Sequence, residues 1–388
     1  MFTNNEKSIY LDYAATTPVR PEVWAEMSPY FTERYGNAST SYGLGREAFG
    51  AVTKARLRVA QAIGALPEEI VFTSGGTESD NFAIKGVAFS AQEQGHIITS
   101  TIEHAAVLDT CEFLEKMGWE ITYLPVDRDG LVDPAELEKA IKPKTSLISI
   151  MMANNEIGVV QPIKEIGEMA KRHHIPFHVD GVQAVGTLSV RVNDLGVDLL
   201  AMSSHKVYGP KGIGALYVKK GTNLVEFMHG GSQERNRRAG TENVPGIVGF
   251  GKAMELAAQE QPAESVRLAG LRDGFIQNVC NTIDRSFLNG HPSRRLPQNI
   301  NLRMEGIDGD AALAALDMSG ICASKGSACS TGAPEPSHVL MAMGLTKAEA
   351  LSSLRFTLGR HTTAEDLSYV VQELASVVKR ARQTPVSR

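Results

Sequence analysis

The chain has 388 residues, 43% of them hydrophobic and 21% charged, with a net charge of −5. That is the composition of an ordinary soluble globular protein, long enough for two lobes. The acidic balance speaks against a nucleic-acid partner, and no apolar run approaches the roughly 18 residues of a membrane span. Residues 1–7 lack the apolar core of a secretory signal, and the four cysteines (Cys111, Cys280, Cys322, Cys329) include no C-x-x-C pair. Neither a zinc knuckle nor a disulfide framework is suggested, and a reducing cytoplasm is the expected setting. His174 and His178 are four apart, but Pro176 stands between them and no metal site is expected.

In chain order, Tyr10-Leu11 is a short apolar start, and Asp12 to Pro18 form a turn. Residues 20–31 read as a helix opened by Pro21, 35–45 as a polar loop, and 46–66 as a second helix stopped by Pro67. Strand 69–74 runs into Gly75-Gly76-Thr77 and a helix. Two glycines there either let backbone amides face an anion or simply make a tight turn capped by Thr77. Strands at 96–101, 120–125, 146–152 and 176–180 alternate with helices that end near 117 or cover 134–141 and 164–173. This order implies a largely parallel sheet whose ligands bind at the carboxyl ends of the strands. Thr77, His104, Asn155, Asp180, Gln183 and Lys206 all fall at such ends.

The apolar run 199–202 leads into Ser203-Ser204-His205-Lys206, followed by a turn rich in glycine and proline. A lysine at the mouth of a strand is either a solvated loop charge or an amine kept partly desolvated for Schiff-base chemistry. Strand 213–219 follows, then a polar loop with Arg237-Arg238-Ala239-Gly240-Thr241. A helix over 244–259 is expected to end near Pro262, which marks the lobe boundary. The second lobe reads as helix 266–282, strand 299–303, helix 308–317, strand 321–324, strand 353–357 and helix 364–380. Residues 326–336 break the pattern with a long loop of small residues. It buries little, so it is expected to be mobile at rest and to carry Cys329 as an arm.

Together these motifs resemble the NifS/IscS-type cysteine desulfurases, of the class V aminotransferase group. The most specific pieces are Ser203-Ser204-His205-Lys206, His178-Val179-Asp180-Gly181-Val182-Gln183, Arg238-Ala239-Gly240-Thr241-Glu242-Asn243 and Gly326-Ser327-Ala328-Cys329. The resemblance implies an α/β fold of the type-I, aspartate aminotransferase-like class. A large cofactor domain over 17–260 would carry a mostly parallel sheet. Residues 1–16 and 261–388 would form a smaller α+β domain.

It also implies pyridoxal 5'-phosphate as cofactor, conversion of L-cysteine to L-alanine, and transfer of the sulfur to Cys329 as a persulfide. Lys206 would hold the cofactor and later move the Cα proton, Asp180 would face its ring nitrogen, Gln183 its hydroxyl, and His104 would stack on the ring and donate or accept a proton. Gly76, Thr77, Ser203 and His205 would hold the phosphate, with Thr241 reaching in from the partner subunit of a homodimer. Asn155 and Arg355 would hold the substrate carboxylate. Cys329 would meet a transferred iron–sulfur cluster only transiently. A sulfur-acceptor or scaffold protein is the implied partner, serving iron–sulfur assembly or other thiolation. Alternatives are a selenocysteine lyase, another class V enzyme, or a cofactor-loaded scaffold. Cys111, Cys280 and Cys322 fit the part of small buried hydrophobes, because they lie in apolar helix or strand patterns. Ala38, Tyr42 and Lys325 depart from the family's usual residues.

Overall fold

The computed structural model describes residues 8–91, 93–326 and 335–383. Seven strands make the central sheet: β2 (Ile70–Thr73), β3 (His96–Ser100), β4 (Glu120–Leu124), β5 (Thr145–Ser149), β6 (Phe177–Asp180), β7 (Leu199–Ser203) and β8 (Gly214–Val218). Their order is β2-β8-β7-β6-β5-β3-β4. The strands from β4 to β7 pair in parallel, while β8 runs antiparallel between β7 and β2. Every residue of β2, β3, β6, β7 and β8 is buried. Both faces are therefore covered, which is why these strands read as unbroken apolar runs.

The two faces feed separate apolar layers, as the two-residue period of a strand requires. Phe72, Ile98 and Leu200 join one layer, and their neighbours Val71, Ile97 and Leu199 join the other. The Gly76–Ser90 helix crosses the second face, with Phe82, Ala83 and Val87 buried against it.

The smaller lobe has its own core around Leu11, Phe275, Ile300, Leu302 and Phe356. It holds an antiparallel sheet of β9 (Ser286–Leu288), β10 (Asn299–Met304) and β12 (Ser353–Thr357). It also holds a parallel pair of β1 (Ile9–Tyr10) and β11 (Ile321–Cys322). The N-terminal strand thus returns to the C-terminal part of the chain.

One expectation is corrected. The helix that was to end near Pro262 runs unbroken from Val244 to Thr282, 39 residues. Proline removes one hydrogen bond and normally costs about 3 kcal/mol in a helix. Here Pro262 is exposed, and Ala258, whose carbonyl loses its partner, is exposed to water as well. The helix buries Phe250, Ala253 and Met254 in the large core and Leu268, Phe275 and Val279 in the small one. Packing at both ends outweighs the defect in the middle. Smaller differences are a break of the first helix into Pro21–Met27 and Pro29–Thr32, and a second helix over Gly43–Ile63. Strand β9 and the short helices His338–Ala342 and Lys347–Leu351 had no clear sequence signal. Cys280 is exposed and Cys322 half-buried; of the three described cysteines only Cys111 is a buried hydrophobe.

Candidate active site

The carboxyl ends of the central strands open on a cavity of about 630 Å³. Thr77, His104, Asn155, Asp180, Gln183 and Lys206 line it. These are the six residues expected at strand ends, brought together because parallel strands finish on the same edge of the sheet. Gly76, Ser203, His205 and Arg355 line it as well. Thr241 is exposed and does not. Cys329 and most of its loop lie outside the described residues.

Lys206 closes the 3-10 turn Ser204–Lys206 that follows β7. Its Nζ donates to the carbonyls of Ala14 at 2.6 Å and Ala15 at 2.8 Å, so the N-terminal turn forms its seat. Burial, helped by the nearby Arg355 charge, lowers its pKa to about 8. About a tenth of the amine is then free at neutral pH, far more than for an ordinary lysine, and the free amine is the state a nucleophile needs. This favours the reactive lysine over a solvated loop charge.

Asp180 ends β6, and its Oδ1 accepts the Val182 amide at 2.9 Å. Burial raises its pKa, while His104, that amide and Lys206 pull the other way. Gln183 donates to Ala14 O at 3.0 Å, and His205 Nδ1 sits 3.1 Å from Thr16 Oγ1. Burial also lowers the His205 pKa, to about 4, and keeps the ring neutral. His104 caps the Ala105–Lys116 helix, and its Nδ1 accepts the Ala106 amide at 3.1 Å. The proton of the neutral ring is thus on Nε2.

The Gly76–Ser90 helix begins at the cavity wall, and its N-cap is Gly75, with no side-chain cap. Thr77 is not the cap. The first-turn amides are left without a side-chain acceptor, a setting that suits an anion. A Cβ on Gly76 would lie 2.7 Å from Val182 Cγ2, so the space at this turn admits only glycine without a shift. Glu78, three residues into the helix, fastens the arginine loop to this turn. Arg238 donates to both its oxygens, at 2.8 and 3.1 Å, and Ser74 donates its amide.

Several functional neighbours carried no sequence signal. Asp12 Oδ1 receives Arg355 Nη2 at 2.7 Å, and Arg355 Nη1 donates to Asn155 O at 2.9 Å. The guanidinium fork expected to be open to a substrate is therefore already engaged at both ends. Its buried Nε has no partner among the described residues. Buried Asn154 shapes the loop bearing Asn155: its Oδ1 accepts the amides of Glu156 and Ile157, and its Nδ2 donates to Ile102 O. Glu156, buried and with its pKa raised by that burial, accepts Ser337 Oγ at 2.6 Å. Lys325 pairs with Asp310 at 2.6 Å, Ala38 is buried, and Tyr42 is exposed ahead of a helix.

The geometry agrees with the similarities to known proteins. The Aminotransferase class-V profile matches residues 9–370. The chain is 54% identical to the cysteine desulfurase IscS of Dictyoglomus turgidum over 97% of this chain and 96% of that one. It is 52% identical to the cysteine desulfurase IscS of Methanosarcina thermophila, over 98% and 94%. Among solved structures it superposes on a NifS-like protein with TM-score 0.91 at 36% identity, covering 96% of this chain and 100% of the other. It superposes on SspA in complex with cysteine with TM-score 0.82 at 40% identity, covering 92% and 100%. The chain belongs to the class-V aminotransferase family, in its NifS/IscS-type group.

Proposed function

We propose that this chain is a pyridoxal-phosphate-dependent cysteine desulfurase, converting L-cysteine to L-alanine and passing the sulfur on as a persulfide. The observation that carries the reading is Lys206, an amine with its pKa lowered to about 8 in the same cavity as the buried carboxylate of Asp180. The cavity suits the cofactor on its own chemistry. Uncapped helix amides at a turn with no room for a Cβ fit a phosphate, and a buried carboxylate fits a protonated ring nitrogen.

When bound, pyridoxal phosphate supplies an electron sink for the α-carbon of the substrate. Gly76 and Thr77, with Ser203 and His205, would hold its phosphate. Asp180 would keep the ring nitrogen charged, Gln183 would reach the ring hydroxyl, and His104 would cover the ring face. Lys206 would hold and release the cofactor and move a proton at the α-carbon. Asn155 and Arg355 would take the substrate carboxylate, Arg355 turning its fork from Asn155 O or using its free Nε. Cys329 would accept the substrate's sulfur on its thiolate, leaving alanine once the carbon is protonated.

A homodimer belongs to this reading, since Thr241 is exposed away from its own cavity. Exposed Trp24, Phe31 and Phe49 on the N-terminal helices, with Tyr35 in the loop between them, are the apolar surface such a dimer would cover. A sulfur-acceptor protein and a cytoplasmic setting complete the proposal, and residues 1–16 with 261–388 would form the small domain. Alanine release from L-cysteine by the purified protein with added pyridoxal phosphate tests the activity. Release from selenocysteine but not cysteine would overturn it in favour of a selenocysteine lyase.

A further inference from the structure

Beside Asp180, from the cavity wall at Asp80 inward to His178, lies a set of ionisable groups that the reaction does not call on. Ser149 on β5 and His178 on β6 are register partners and share a face of the sheet. His178 and Asp180, two apart on one strand, also share that face. Asp80, from the Gly76–Ser90 helix, packs down on it and is 1% exposed. His178 is fully buried. Its Nδ1 is 2.9 Å from Ser149 Oγ, and its Nε2 is 3.4 Å from Asp80 Oδ1. Those two facing atoms, His178 Nε2 and Asp80 Oδ1, are both buried without a hydrogen-bond partner among the described residues. Glu103 lies near, fully buried, with Oε1 accepting Ser100 Oγ and the Met151 amide and Oε2 unpaired.

Two charge states could pair Asp80 with His178. An aspartate–imidazolium pair would place a charge on the fully buried His178 ring and face it with a carboxylate oxygen that no other described donor supports. A neutral pair needs one proton between them and satisfies both orphan atoms at once. The surroundings decide for the second. The groups facing Asp80 are His178 and Asp180 on β6 and Glu103 after β3; the Asp180 carboxylate disfavours a second charge beside it, and no cation there offsets one. Asp180, by contrast, also feels Lys206 and His104 and has the Val182 amide. Burial raises the pKa of Asp80 well above the usual carboxylate range and lowers that of His178 to about 3, in keeping with a neutral pair.

We propose that Asp80 is a positioning residue that keeps its proton, donates it in a hydrogen bond to His178 Nε2, and so leaves Asp180 as the charged carboxylate at the cofactor site. His178 then carries its own proton on Nδ1, toward Ser149 Oγ. A second carboxylate behind Asp180 would compete for the same ring cation; a neutral acid there supports it instead. The role of the charge on Asp180 rests on the proposed cofactor, while the proton on Asp80 does not.

The test uses the apoprotein with Asp80→Asn and Asp80→Leu. Infrared difference spectra at neutral pH should show a protonated-carboxyl band in the wild type that Asp80→Asn lacks. Titration with pyridoxal phosphate should give Asp80→Asn a Kd within about threefold of wild type, because the amide replaces the donor. Asp80→Leu, folded by circular dichroism, should bind at least about tenfold more weakly, since His178 Nε2 loses its partner. An unchanged carboxyl band in Asp80→Asn, or an Asp80→Asn protein as impaired as Asp80→Leu, would overturn the proposal. A misfolded Asp80→Leu leaves the decision to the Asp80→Asn band and Kd. Wild-type apoprotein that binds no pyridoxal phosphate would sink the proposed function, and the infrared band would still decide the state of Asp80.

Discussion

Arg355 and Asp12 are 343 residues apart in the chain, yet their side chains meet at 2.7 Å beside the cavity, Arg355 buried and Asp12 half-buried. The N-terminal turn that supplies Asp12 also supplies the Ala14 and Ala15 carbonyls that hold Lys206. One short segment thus seats two cations of the site. Asp12→Ala would leave the guanidinium uncompensated, and because Asp12 is partly solvated the cost should be about 2 kcal/mol. Urea unfolding of the variant checks this, and an unchanged midpoint would mean the pair is worth nothing.

The lowered pKa of Lys206 predicts a pH profile. Burial disfavours the ammonium form, so the free amine grows with pH, is half formed at about 8 and levels off above that. The rate at which apoprotein forms a borohydride-reducible adduct with pyridoxal phosphate should rise through that range with a midpoint near 8. Lys206→Ala should form no such adduct. A midpoint near that of an ordinary lysine would show that the amine is solvated.

Glu103 gives a stability effect of defined sign. Burial pushes its pKa up to about 8, so the folded protein holds a proton that the unfolded chain has shed. Stability therefore falls as pH rises from the ordinary glutamate range to about 8, by at most roughly 3–5 kcal/mol. Glu103→Gln keeps the acceptor for Ser100 and Met151 and should flatten this slope. Denaturation midpoints for both proteins across the range decide the matter; parallel curves would count against it.

Gly76→Ala should leave the fold intact, since alanine is a good helix residue. Its Cβ would press on Val182 at 2.7 Å and crowd the helix start. Affinity for pyridoxal phosphate should drop by about tenfold or more, the loss of roughly one good hydrogen bond to a charged group. Equal affinity would show that the phosphate sits elsewhere.

The loop ahead of Thr241 is held by a buried ion pair. Glu234, Arg235 and Asn236 all have positive φ, a strained run for residues other than glycine. Glu234 bonds Arg56 through both oxygens, at 2.6 and 2.7 Å, and accepts the Phe72 amide. Glu234→Ala removes that anchor and strands Arg56, a loss of about 3–5 kcal/mol. Thermal melting provides the check, and a shift of only a degree or so would refute the anchoring role.

The strands of the central sheet, most of the helices and the residues at the strand ends were legible in the sequence, because period and turn chemistry are local. Six residues from five separate segments could be assigned to one edge because parallel strands end together. The sequence also carried the family motifs from which the cofactor and the substrate were expected. It could not reveal Asp12 beside Arg355, Asp80 beside His178, or Glu234 on Arg56. Each of those pairs joins residues whose neighbours in the chain look like ordinary turns and helices, and only chain return places them within bonding distance. Pro262 misled for the same reason: local propensity says stop, and burial at both ends of the Val244–Thr282 helix says continue. The motifs along the chain decide which chemical groups reach the cavity. Their charge is decided by tertiary burial, because desolvation depends on what the rest of the fold puts around each group.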